Sequence, residues 1–89
     1  PGLYREGMHG VRHENVNLLR SVGDNEFGSW MGFEPLTLCH YDTSCLELSL
    51  LTQAERDWLN TYNARVYREL GPRLPAEIAS WLREKTLPV

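Results

Sequence analysis

From Thr52 onward the sequence carries the start and stop marks of two helices, and no other feature constrains the fold as much. Thr52-Gln53-Ala54-Glu55 is a capping box, in which the threonine hydroxyl accepts from the Glu55 amide and the glutamate reaches back to the Thr52 amide. Apolar residues then recur at helical spacing: Trp58, Leu59, Tyr62, Val66 and Leu70. Gly71 is placed to supply a left-handed C-cap, and Pro72 cannot continue the helix. Pro75 suits the first turn of a second helix, striped by Ile78, Trp81 and Leu82 and stopped by Pro88. The spacing predicts helices over about 53–70 and 75–86, joined as a hairpin.

The front of the chain follows a different pattern. Gly2, Gly7 and Gly10 punctuate short stretches, as turns or close backbone approaches do. Val11 to Val22 runs without Gly or Pro and suits a strand covered on both faces. Residues 23–29 are polar and predict a loop. Residues 30–41, with Phe33, Leu36, Leu38 and Tyr41, predict a second extended segment, placed at an edge because Pro35 cannot donate a ladder hydrogen bond. Residues 42–50 are a connector. The fold class is therefore α+β: short β segments, an extended segment and a C-terminal helical hairpin.

With 42% hydrophobic and 24% charged residues in 89, the chain should fold, but as one small domain with a thin core. The net charge of −3 argues against nucleic acid as a partner. That excess lies in residues 1–45, which hold three basic and six acidic side chains, while residues 46–89 balance. No apolar run approaches the roughly 20 residues a membrane span needs. No leader opens the chain, which together with few cysteines leads to the expectation of a cytoplasmic protein. The chain opens at Pro1-Gly2-Leu3-Tyr4, inside a segment that reads as structured, so the expectation is a piece of something larger.

Residue chemistry alone yields little. His13-Glu14 lacks the second histidine of a zinc-protease helix, since Asn17 stands there; Glu14 reads as a carboxylate paired with Arg12. A small zinc domain built on Cys39, His40 and Cys45, with His9 and His13 nearby, has the wrong ligand spacing. A Cys39–Cys45 disulfide is sterically conceivable, but buried free thiols are the expectation. No Gly-x-Ser-x-Gly elbow or glycine-rich phosphate loop occurs. Trp30, Phe33, Trp58, Tyr62 and Trp81 read as the core, with tryptophan the main source of buried area. The competing view makes Trp30, Phe33 and Trp58 the surface of a free-standing protein-interaction module with no catalytic role.

The order of short motifs says more. Pro1-Gly2-Leu3-Tyr4 followed by Gly10-Val11-Arg12-His13-Glu14-Asn15-Val16 resembles the end of the catalytic domain of the Xaa-Pro aminopeptidases, which share the pita-bread fold with methionine aminopeptidase and prolidase. Phe33-Glu34-Pro35-Leu36-Thr37-Leu38, Leu50-Leu51-Thr52, then Glu55, Trp58-Leu59-Asn60, Tyr62, Val66, Trp81-Leu82, Thr86 and Pro88 resemble the C-terminal extension of the longer aminopeptidase P proteins. The resemblance covers nearly the whole chain. It implies that residues 1–22 end the catalytic domain and residues 23–89 form the extension.

The resemblance also implies site residues. Glu14 matches a metal-bridging glutamate of a site for two divalent ions, manganese or zinc. Arg12 matches an arginine that holds a carboxylate in place, and Tyr4 matches an aromatic beside the site. His13 stands where many relatives carry an apolar residue; on a strand it points away from Glu14 and is expected to pack, not ligate. The family's other glutamate, its two aspartates and its histidines are absent from these residues. One carboxylate cannot hold two ions, so the fragment alone is expected to bind no catalytic metal tightly and to be inactive. The parent protein is expected to hydrolyse the bond between an N-terminal residue and a following proline. The partners implied are such peptides and the rest of the catalytic domain. A homodimer is also expected, through unpaired strand edges.

Overall fold

The computed structural model describes residues 2–89, which divide into two compact units, one running to Thr37 and one spanning Leu38–Val89. The first holds two separate antiparallel hairpins, and the second holds the helices, so the architecture is α+β.

Hairpin one pairs β1 (Gly2–Arg5) with β2 (His9–Arg12) in the register Gly2↔Arg12, Leu3↔Val11, Tyr4↔Gly10 and Arg5↔His9. Its turn is closed by the Met8 amide donating to the Arg5 carbonyl at 3.0 Å. Gly7 sits there at φ +67°, a left-handed conformation that a β-carbon disfavours.

Hairpin two pairs β3 (Asn17–Asn25) with β4 (Gly28–Pro35). Residues 11–22 are not one strand: β2 ends at Arg12 and β3 starts at Asn17. Residues 23–29 are not a loop: both strands run through them to the turn at Glu26 and Phe27. The polar composition misleads because Gly28, at positive φ, and the Asn25 side chain, which accepts from the Phe27 amide at 2.9 Å, serve a tight hairpin tip, while Gly23 takes its positive φ at a bulge. A bulge between Ser21 and Gly23 absorbs one extra residue. The second extended segment is shifted from the expected 30–41: β4 spans Gly28–Pro35, the Leu36 amide still donates to the Val16 carbonyl at 2.8 Å, and no strand runs over residues 36–41. Strand residues expected to be covered on both faces are exposed, because a two-stranded ribbon supplies no second layer of its own.

In the second unit, 3₁₀ turns at Thr43–Cys45 and Leu48–Leu50 lead into α1 (Gln53–Leu70) and α2 (Ala76–Lys85). The Thr52–Glu55 capping box is fully formed. Gly71 departs from the expected left-handed cap: it has φ −50° and opens a 3₁₀ turn, Gly71–Arg73, that carries the chain on toward α2. Glycine is needed there for closeness, since a β-carbon would lie 2.9 Å from Tyr67 Cε2. Past α2, the Thr86 hydroxyl donates to the Leu82 carbonyl at 2.8 Å.

The core is narrow. Tyr62, Val66 and Leu82 form its centre, with Leu38, Tyr41, Tyr67, Leu70 and Leu74 packed around them. The tryptophans and Phe33 do not build it: Trp30, Trp58 and Trp81 are about half exposed and Phe33 is 78% exposed. One helix pair buries a single stripe, and Trp58 and Trp81 lie at its margins. Trp58 instead stacks on Tyr62 at 5.3 Å, and Trp81 meets His40 edge-on at 5.3 Å.

Helix α1 also grips the segment before it through backbone groups. The Tyr62 hydroxyl donates to the Cys39 carbonyl at 2.9 Å. Asn63, 1% exposed, accepts from the Tyr41 amide at 3.1 Å and donates to the Tyr41 carbonyl at 3.4 Å. Burial pushes the Tyr41 hydroxyl pKa up, aided by the neighbouring Tyr62 and Cys39. Cys39 and Cys45 are free thiols and exposed rather than buried: Cys39 lies in irregular backbone and Cys45 ends the 3₁₀ turn Thr43–Cys45, both outside the stripe.

Candidate functional site

Of the three residues singled out by the resemblance, Tyr4 and Arg12 lie in the first hairpin and Glu14 follows two residues after it. Tyr4 and Arg12 lie on one face, because Tyr4 opposes Gly10 and Arg12 opposes Gly2, two positions along. The Tyr4 ring lies flat on that face over both glycines: a β-carbon at Gly10 would meet Tyr4 Cδ1 at 2.7 Å, and one at Gly2 would meet Cε2 at 2.8 Å.

Glu14 stands just past the end of β2, not within it. Arg12 reaches it nonetheless, with Nη2 donating to Oε1 at 2.8 Å. The two side chains are 53% and 59% exposed, so the pair contributes little to stability, at most about 1 kcal/mol. Its effect is geometric: one carboxylate oxygen is fixed by a guanidinium and the group faces outward. His13 is exposed rather than buried.

A single oriented carboxylate fits one bridging ligand of a metal pair and no more. Among the described residues no three His, Cys, Asp or Glu side chains gather as a metal-binding group, and Cys39, His40 and Cys45 make none. The link from Arg12 to Glu14 was visible in the sequence as a two-residue spacing. The Tyr4–Gly10–Gly2 stack was not, because it depends on the cross-strand register.

Comparison with known proteins bears on the same residues. The chain is 35% identical over its whole length to the probable Xaa-Pro aminopeptidase P of Coprinopsis cinerea and 37% identical to that of Arthroderma benhamiae, covering 15% and 14% of those proteins. It also matches the crystal structure of the X-prolyl aminopeptidase of Caenorhabditis elegans, described as a cytosolic enzyme with a di-nuclear active site, with a TM-score of 0.90 and 33% identity. That match takes in all of this chain and 15% of the nematode one, so the chain spans about one seventh of the relatives it matches. The model of the family described as the C-terminal region of peptidase_M24 matches residues 29–89. With most of its length inside that match, the chain belongs to the C-terminal region of the peptidase_M24 family.

Proposed function

We propose that this chain is the C-terminal part of a metal-dependent Xaa-Pro aminopeptidase, and that Glu14 is its contribution to a two-metal site. The observation that carries the reading is the Arg12–Glu14 pair: an exposed carboxylate, one oxygen held at 2.8 Å, in a chain whose full length aligns with Xaa-Pro aminopeptidases. Residues 1–22 are assigned to the end of the catalytic domain and residues 23–89 to its extension, joined through the continuous strand β3.

The residues divide the work. Glu14 would hold metal through its carboxylate, whose two oxygens suit hard divalent cations, manganese or zinc. Arg12 fixes the orientation of that carboxylate, as outer partners of metal ligands do. Tyr4 occupies the hairpin face beside Arg12. When bound, such a cation pair would supply Lewis acidity toward a scissile carbonyl and lower the pKa of a bound water. The remaining ligands, and the pocket for a peptide with proline in second position, belong to the rest of the parent protein. The C. elegans relative's description supports a cytosolic setting for that parent.

The test is Glu14→Gln in the full-length protein. Cleavage of an Xaa-Pro peptide should fall by more than the roughly 10–100-fold that losing an outer partner costs, with less metal retained on dialysis. The isolated 89-residue chain supplied with Mn²⁺ should cleave nothing. Native turnover and full metal content in the Gln variant would overturn the assignment.

A further inference from the structure

The geometry points to Gly10 as a positioning residue for the Arg12–Glu14 pair, acting through the Tyr4 ring. The inference rests on the reading of Glu14 as a metal ligand.

Glycine inside a strand weakens it and asks for a reason. At Gly7, Gly23 and Gly28 the reason is a positive φ, but Gly10 has none. What Gly10 provides is the missing side chain. A β-carbon there would stand 2.7 Å from Tyr4 Cδ1 and 3.0 Å from Cε1, and carbon atoms do not tolerate such approach. Any substitution must lift the ring off the hairpin.

The ring cannot move only a little. Its far edge lies over Gly2, where Cε2, Cζ and the hydroxyl all come within 2.9 Å of the β-carbon position. It is thus seated across two strands on two glycines. Tyrosine laid over a cross-strand glycine restores the packing that the glycine forfeits. Because Gly2 opposes Arg12, the seated ring ends beside the strand position from which Arg12 projects. On this inference the filled face is what directs the guanidinium toward Glu14, which it meets at 2.8 Å. A ring lifted by a methyl group at position 10 frees the face, and Arg12 then loses the boundary that fixes its rotamer. Glu14 follows, since Arg12 holds its Oε1.

The test is a double-mutant cycle in the full-length protein, read as Mn²⁺ affinity by chelator competition alongside kcat and KM. Gly10→Ala and Tyr4→Ala should each weaken Mn²⁺ binding about 10–100-fold, the range for disturbing a ligand's support. The double variant should be no weaker than Tyr4→Ala alone, because the methyl group acts only on the ring. Val11→Ala, on the opposite face of the same hairpin, should lower thermal stability and leave Mn²⁺ affinity unchanged. Losses that multiply in the double variant, or Gly10→Ala binding Mn²⁺ within about twofold of native, would overturn the inference. Should Gly10→Ala fail to fold, Tyr4→Ala carries the test, and native affinity in that variant overturns it. Native Mn²⁺ binding in Glu14→Gln sinks the ligand reading itself, whereas loss there beside a native Gly10→Ala sinks only this inference.

Discussion

Asn63 shows how much one buried amide can hold. It is 1% exposed on α1, and its two ends engage the amide and the carbonyl of Tyr41. Removing it leaves two backbone groups of a packed segment without their partner, which costs more than the net value of the bonds themselves. Asn63→Ala should therefore destabilise the chain by about 2 kcal/mol, seen as a lower urea midpoint at unchanged slope. Asn60, only half-buried, makes a similar two-ended contact with Val89, and Asn60→Ala should cost no more than about half as much. Neither role is visible in sequence, because an asparagine within a helical run is silent until its extended partner is placed. Arg12 and Glu14 were legible for the opposite reason: their meeting is local, two residues apart, and needs no tertiary information. The seat of Tyr4 on Gly2 and Gly10 needs the hairpin register, and glycines by themselves point equally to turns.

At the scale of elements, the helices were legible and the strands were legible only in part. The capping box is a four-residue code with its own hydrogen bonds, and it forms as the sequence implies. Its chemistry gives a pH dependence. The Glu55 carboxylate accepts from the Thr52 hydroxyl and the Thr52 amide, which hold its pKa below the ordinary value; Ser44 does the same for Asp42, and Ser49 for Glu47. The unfolded chain, lacking these bonds, takes up protons first as pH falls, so the caps stabilise fully above the ordinary carboxylate pKa of about 4 and lose that effect below it. Melting temperature should drop between about pH 5 and about pH 3. Glu55→Gln should flatten part of this acid limb, since glutamine preserves the capping geometry but does not titrate. An unchanged limb in that variant would place the acid sensitivity elsewhere. The ribbon of β3 and β4 escaped its sequence reading because Asp24, Asn25 and Glu26 look like a loop by composition. A two-stranded hairpin can carry polar residues to its tip, and the backbone freedom of Gly28 with the Asn25 side-chain bond marks the turn here.

For the whole molecule, the distribution of apolar surface is the determining feature. The second unit has a buried stripe of its own. The ribbon in the first unit has apolar side chains on both faces: Leu19, Met31 and Phe33 on one, Leu18, Val22 and Trp30 on the other, all exposed. Within the proposed parent, other parts of the protein would cover these strands. In the isolated chain this pattern leaves large side chains and unpaired edges in water, the conditions for association between copies. The isolated chain should thus sediment with a mass that rises with concentration. Leu19 and Phe33 are direct cross-strand partners, so Leu19→Lys with Phe33→Lys places two like charges side by side on one apolar face. That variant should sediment as a monomer with its helical circular dichroism intact, because the stripe of Tyr62, Val66 and Leu82 is untouched. Trp58→Lys, on α1, should leave the association unchanged. If Trp58→Lys abolishes the association and the ribbon variant does not, the helical unit is the self-associating surface. The apolar ribbon then has to be explained without any need for a covering partner.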